Sequence, residues 1–235
     1  HQLTRRQRQM CIRDRGIYVW EVPTTATEIR FGNRPVFTVN GKAIIGVPIS
    51  QEPGEAAIDF RLENRSKKEI FRVKKKNYTE QRITLADTKM VSPPTKELDR
   101  IRKESAAQKA VYASFTPQID LSPGFIMPLV GRKTSLYGHR RFFNDVPRSP
   151  HSGLDIAAPT GTPIVAPGPG RVALRGDFYF NGKTILLDHG QGLITMYCHM
   201  SEYMVEEGEF IDQGQMLGLV GSTGRSTGPH LHWSV

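Results

Sequence analysis

No run of about eighteen apolar residues occurs in the 235-residue chain, so no segment is long enough to cross a bilayer as a helix. Residues 1–15 are polar and basic with no apolar stretch behind them, which excludes an export signal there. Within them Met10-Cys-Ile-Arg-Asp-Arg15 resembles translated adapter sequence, and 1–15 are read as non-native or disordered. Cysteine is scarce. Cys11 and Cys198 have no evident reason to meet, so no disulfide framework is implied, and the redox compartment stays open. No internal repeat is present.

What the chain does contain is 38% hydrophobic residues, enough for two modest domains, with 16 prolines and 22 glycines spread between short apolar runs. Many tight turns joining many strands predict a mainly β protein. From Gly16 to Val73 apolar and polar residues alternate, as in Pro35-Val-Phe-Thr-Val39 and Ala57-Ile-Asp-Phe-Arg-Leu62, with hairpin signals at Asn40-Gly41 and Pro53-Gly54. This predicts a small immunoglobulin-like β-sandwich over 16–77, an accessory domain closed by the charged turn Lys74-Lys-Lys-Asn77. A connector over 78–122 follows. It carries a linker helix over 95–113, after Pro93-Pro94, whose thin apolar stripe of Leu98, Ile101 and Val111 places it on a surface. A glycine-rich β domain over 123–235 completes the chain.

The net charge of +9 is uneven: Lys and Arg exceed Asp and Glu by nine up to residue 122, and the two cancel after it. Such a surplus either concentrates anionic polymers or serves only as a solvated surface.

Chemistry-bearing residues gather in the second half. Two residues apart on a strand share a face, so His230 and His232 project together while Leu231 turns to the core. His151-Ser-Gly-Leu-Asp155 adds an imidazole and a carboxylate, both of them ligand types that zinc accepts. A catalytic zinc keeps three protein ligands and one open position, so four groups compete for three places, and spacing does not choose among them. Strand alternation adds a fifth candidate: Thr195, Tyr197 and His199 are expected to share one polar face, Ile194, Met196 and Cys198 the other. His139 and His189 are read as ordinary structural histidines, His189 within an Asp-His-Gly turn.

Four segments carry a resemblance: Ser135-Leu-Tyr-Gly-His-Arg-Arg141, the run from His151 to Ile164, Thr195-Met-Tyr-Cys-His-Met-Ser201, and Gly221-Ser-Thr-Gly-Arg-Ser-Thr-Gly-Pro-His-Leu-His-Trp233. In this order they resemble the lysostaphin/LytM zinc metallopeptidases, over roughly the second half of the chain. The resemblance implies a LytM-type antiparallel β-sheet catalytic domain over 123–235 that hydrolyses peptide cross-links of bacterial peptidoglycan. It implies that His151, Asp155 and His232 bind Zn2+, while His199 and His230 are catalytic at the open coordination site. No His-Glu-x-x-His helix is present, so histidine takes the role of base. Tyr197 is a candidate for oxyanion support, and Arg225 with its Ser/Thr/Gly loop for the substrate groove.

The first half, around Tyr78-Thr-Glu-Gln-Arg-Ile-Thr-Leu85, resembles secreted Gram-negative members. That implies a D-alanyl to diaminopimelate cross-link as substrate, peptidoglycan stems as partner, and a periplasmic or cell-envelope location. The family pattern continues past the His-x-His strand, whereas this chain stops at Val235, so the carboxyl end is expected to be truncated and the last strand to lack a neighbour. Two other readings are weighed: a degenerate domain that binds without cutting, which the complete set of candidate ligands disfavours, and a nucleic-acid binder suggested by pI 9.7. Interleaved surface aromatics and a basic catalytic half would support the latter, and neither is evident, so no nucleic-acid partner is expected. The basic first half could also block or guide the active site. Oligomeric state is not legible.

Overall fold

The computed structural model describes residues 11–13, 16–121 and 124–235. Apart from 11–13, the segment read as non-native lies outside the described residues. The chain forms two compact units that meet in sequence at Asn77 and Tyr78.

Among the described residues the first unit contains eight strands: β1 (Cys11–Arg13), β2 (Ile17–Glu21), β3 (Ala26–Phe31), β4 (Arg34–Pro35), β5 (Phe37–Val39), β6 (Lys42–Gly46), β7 (Gly54–Leu62) and β8 (Arg65–Lys74). They make a five-stranded sheet, in order β1-β8-β7-β3-β4, and a three-stranded sheet, β2-β6-β5. Alternation does the sorting. Tyr18 and Trp20 of β2, Ala43 and Ile45 of β6, Ala56, Ile58 and Phe60 of β7, and Phe71 and Val73 of β8 all enter one core between the sheets. Tyr18 stacks on Phe71 with ring centroids 4.2 Å apart. The β5–β6 hairpin turns on Asn40 and Gly41, both with positive φ, as the Asn-Gly pair predicts.

In the second unit, β9 (Glu80–Ile83) is followed by two short 3-10 turns, Thr88–Met90 and Thr95–Glu97, and helix α1 (Leu98–Ala113). Then come β10 (Arg132–Ser135), β11 (Arg140–Phe143), β12 (Val146–Pro147), β13 (Leu154–Ala157), β14 (Pro163–Val165), β15 (Gly170–Phe178), β16 (Gly182–Asp188), β17 (Ile194–Tyr203), β18 (Phe210–Ile211), β19 (Met216–Val220) and β20 (His230–Ser234). The main sheet runs β10-β13-β20-β17-β16-β15-β18, with β14 and β19 joined at its side, and β12-β11-β9 form a smaller sheet. The main sheet is antiparallel throughout.

β16 and β17 are buried on both faces, which is why their sequence reads as nearly continuous apolar text. One face carries Ile156, Ile185, Leu187, Tyr197, Leu217 and Leu231 into the principal core. The other carries Leu186, Ile194, Met196 and Cys198, against which the last turn of α1 packs Val111 and Tyr112. The helix buries none of its residues fully, as its thin stripe predicts, and it belongs to the second unit. Among the described residues no helix is long and apolar enough to cross a membrane.

The last strand does not lack a neighbour. β20 is flanked by β13 on one side and β17 on the other, so both backbone edges around His232 are paired. Where β19 ends, Gly221 passes against a bulge of β17. A Cβ there would sit 2.4 Å from the Ser201 backbone nitrogen and 2.8 Å from the His199 carbonyl oxygen, and backbone cannot step aside. We expect Gly221→Ala to lower stability by about 1–3 kcal/mol through this overpacking, measured as a lower urea midpoint with an unchanged m-value.

Candidate metal centre

Two adjacent antiparallel strands supply the centre. In the β13–β20 pair Asp155 lies opposite His232 and Ile156 opposite Leu231. Opposed residues share a face, so Ile156 and Leu231 enter the core and Asp155 and His232 emerge together on the other side. His151 reaches the same point from the loop before β13. Gly153 makes this approach possible: a Cβ there would be 2.4 Å from the Trp233 carbonyl oxygen and 2.9 Å from the His232 ring.

His151 Nε2 lies 2.9 Å from Asp155 Oδ1 and 2.9 Å from His232 Nδ1, and His232 Nδ1 lies 2.7 Å from Asp155 Oδ1. All three residues are buried. The Leu136 carbonyl oxygen, 2.8 Å from His151 Nδ1, can only accept, so it fixes the proton on Nδ1 and leaves Nε2 as a lone pair. On His232 the other nitrogen, Nε2, is 3.0 Å from Ser234 Oγ. Two imidazole nitrogens and a carboxylate oxygen therefore face one another in a small triangle. A proton can bridge one pair at a time, whereas a dication serves all three. Tetrahedral zinc would hold such donors about 3.3 Å apart, so seating it would open these separations by about half an ångström. The donor set fits zinc.

Burial alone would raise the pKa of Asp155, but the two imidazoles lying against Oδ1 outweigh it and hold the carboxyl well below the usual carboxylate range. Burial pushes His232 down, so its ring stays neutral. The second carboxylate oxygen, Oδ2, accepts a hydrogen bond from Arg141 of β11. Arg141 is in turn held by Gln81, whose Oε1 accepts from Arg141 Nε at 3.1 Å and from Ser135 Oγ at 2.9 Å. The segments that contain these residues carry the resemblance in the sequence, but none of the three was given a role of its own there. Arg141 was detectable in principle, since alternation along Arg140–Phe143 puts it on the face of buried Phe143. Gln81 was not, because the parallel pairing of β9 with β11 joins segments sixty residues apart.

His199 reaches the site by a different device. Cys198 lies opposite His232 in the β17–β20 pair, so simple alternation would send His199 to the core side with Tyr197. Instead β17 contains a bulge: two steps along β16, from Lys183 to Ile185, meet three along β17, from Met200 to Tyr197. Within it His199 has φ +63°, a left-handed conformation uncommon for a side-chain-bearing residue. Its ring then lies 4.7 Å from that of His230 and 6.3 Å from that of His232.

His199 Nδ1 donates to the Thr223 carbonyl oxygen at 2.8 Å, and His230 Nδ1 to the Gly228 carbonyl oxygen at 2.8 Å. Both rings keep Nε2 as the basic nitrogen. Burial, and then the neighbouring His230, push the His199 pKa down to about 3.

The expected polar wall of Thr195, Tyr197 and His199 is therefore corrected. Thr195 and Tyr197 are fully buried on the core face, where Thr195 Oγ1 is 2.8 Å from Tyr197 Oη and 2.7 Å from His189 Nε2. Tyr197 belongs to the core cluster and is no candidate for oxyanion support. His189, whose Nδ1 is also 2.6 Å from the Pro169 carbonyl oxygen, is a structural residue. His139 is partly exposed, 3.3 Å from Ser135 Oγ, and stands outside the triangle.

Residues 149–235 match the pattern of Peptidase family M23. A solved structure from Pseudomonas aeruginosa, described as a peptidase M23, is 36% identical with a TM-score of 0.75, over 94% of this chain and 87% of that one. Peptidoglycan DD-endopeptidase ShyA of Vibrio cholerae is 40% identical over 87 residues, which is 37% of this chain and 20% of that protein. DD-carboxypeptidase/endopeptidase Mpg of Neisseria meningitidis is 43% identical over 85 residues, 36% of this chain and 20% of that protein. The chain thus spans about a fifth of the length of the curated relatives it matches.

Burial pushes the pKa values of His189, His199 and His232 down together. Unfolded, each takes up a proton as the pH falls below about 6.5, while the folded state stays neutral. The unfolded chain then binds more protons, so stability present above about pH 6.5 is lost on acidification, and Asp155 extends the loss below about pH 4. The melting temperature of metal-free protein should fall by several degrees from pH 7 to pH 5. A flat profile would contradict neutral buried histidines.

Proposed function

The chain belongs to peptidase family M23, and from that premise we propose that it is a zinc-dependent endopeptidase hydrolysing peptide cross-links of bacterial peptidoglycan, between D-alanine and diaminopimelate. The observation that carries this reading is the convergence of His151, Asp155 and His232 on one point, with the rings of His199 and His230 beside it. The family match contains all five residues. The names of the Vibrio and Neisseria relatives support a cross-link as the substrate. On the same reading the first unit is an accessory domain, and the protein works in the cell envelope.

His151 and His232, each through one lone-pair nitrogen, and Asp155 through Oδ1 would hold the zinc. Bound there, the ion supplies Lewis acidity, lowering the pKa of water toward neutrality and polarising a carbonyl. Hydrolysis of an amide also needs a proton taken from the attacking water and one delivered to the leaving amine. His199 and His230 carry basic Nε2 atoms for the first task and, once protonated, can donate to the developing oxyanion or to the amine. Anchoring of both Nδ1 atoms on backbone carbonyls fixes the rings, so their orientation costs little during the reaction. Arg141, bound to Asp155 Oδ2, keeps that carboxylate oriented with Oδ1 toward His151 and His232, where it would hold the zinc.

Elemental analysis should find about one zinc per chain. The protein should release monomers from cross-linked peptidoglycan, and His230→Ala should retain zinc while losing about 100-fold or more in rate. Zinc without cleavage by the wild type would leave a binding role, and absence of zinc would sink the proposal. In chelator competition, Arg141→Ala should weaken zinc binding by about 10–100-fold, with part of the affinity kept by Arg141→Lys.

A further inference from the structure

Beside His230 the second unit holds a cavity of about 410 Å³ whose lining includes Leu85, Asp87 and Met90 from the segment after β9 and Gly224, Arg225 and Ser226 from the loop before β20. It adjoins the site directly, because Ser226 Oγ is 3.2 Å from His230 Nδ1. Its one cationic side chain, Arg225, is held flat. The guanidinium lies 4.5 Å from the ring centroid of Phe143 and 4.4 Å from that of Phe180. The backbone is pinned as well: Arg225 N donates to the Phe180 carbonyl oxygen at 2.8 Å, and a Cβ on neighbouring Gly224 would sit 2.3 Å from Gly182 N.

The guanidinium makes one long hydrogen bond, 3.4 Å to the Met90 carbonyl oxygen, and among the described residues no carboxylate pairs with it. The carboxylate on the cavity wall, Asp87, is committed elsewhere, accepting from Lys89 N at 2.9 Å to cap the 3-10 turn. Burial, with Arg141 and Arg148 nearby, pulls the Arg225 pKa down to about 10, so it is still a cation at neutral pH. A largely buried cation among other cations, with planar N–H donors and no anion of its own, is costly unless an anion arrives from outside. The planar fork of a guanidinium selects a carboxylate.

We propose that Arg225 is a specificity-determining residue that binds the free carboxylate of the substrate adjacent to the scissile amide. This rests on the cross-link reading above. In an amide between D-alanine and the side-chain amine of diaminopimelate, the carbon that bears the scissile nitrogen also bears a carboxylate. A glycine bridge offers none at an internal residue. A carboxylate held in the cavity beside His230 places the departing nitrogen next to a group able to protonate it.

The test uses the full chain loaded with zinc and two cross-linked dimers that differ only in whether that carboxylate is free or amidated. The wild type should cleave the free-acid dimer with a kcat/KM about tenfold or more above that for the amide. Arg225→Gln should bring the ratio to about one, and Arg225→Lys should keep an intermediate ratio. Zinc content and melting temperature of each variant establish that it is folded. Should Arg225→Gln fail to fold, the wild-type ratio alone decides. Equal cleavage of both dimers by the wild type, or an undiminished ratio in folded Arg225→Gln, overturns the proposal and leaves the endopeptidase reading standing. Cleavage of neither dimer by zinc-loaded wild type means that the endopeptidase reading itself has failed, and the carboxylate subsite falls with it.

Discussion

The register of β13 against β20 is the constraint on which the rest of the centre depends. It sets Asp155 opposite His232 and, on the reverse face, Ile156 opposite Leu231, both of them fully buried. A slip of β13 by one residue would exchange its faces, sending the Asp155 carboxylate into the core and Ile156 toward the polar site. The apolar side thus specifies the polar side. Hydrophobic burial, which is non-directional, acquires direction here through the two-residue period of the strand.

Holding a carboxylate and two imidazoles together in a buried site is unfavourable, and the surrounding structure bears that cost through hydrogen bonds and through backbone. Arg141 compensates the buried charge of Asp155, while carbonyl oxygens of Leu136, Thr223 and Gly228 set the orientation of three imidazoles. Gly153, Gly182 and Gly221 lie where segments cross too closely for a Cβ. The bulge at His199 belongs to the same pattern: a strained left-handed residue in an otherwise regular strand, persisting because paired neighbours on both sides over-determine it.

The smaller sheet and helix α1 have a part in the site that their distance in sequence conceals. β9 lies parallel to β11 and thereby delivers Gln81 to Arg141. Glu104 of α1 accepts from the Tyr179 backbone nitrogen, and Gln108 faces Asn181, so the helix braces the turn between β15 and β16. That turn carries Phe180, one face of the clamp on Arg225, and the Asn181 carbonyl oxygen that receives the His199 amide. A segment that reads as a connector is thus a structural part of the unit with the candidate centre.

Much was determined by sequence alone. Alternation in 16–73 marked the runs that form β2, β5, β6 and β7, and a residue pair two apart on a strand put His230 and His232 on one face, because these features depend only on local backbone period. The His151 to Asp155 spacing added two more candidates, and only the family resemblance chose His151, Asp155 and His232 among the four. Local period could not place His199, since a bulge changes the count of residues between faces, and it misassigned Tyr197 and Thr195 for the same reason. Nor could it find Gln81 behind Arg141, or the aromatic rings on either side of Arg225. Those depend on which distant strands become neighbours, and that is decided when whole sheets bury their apolar faces.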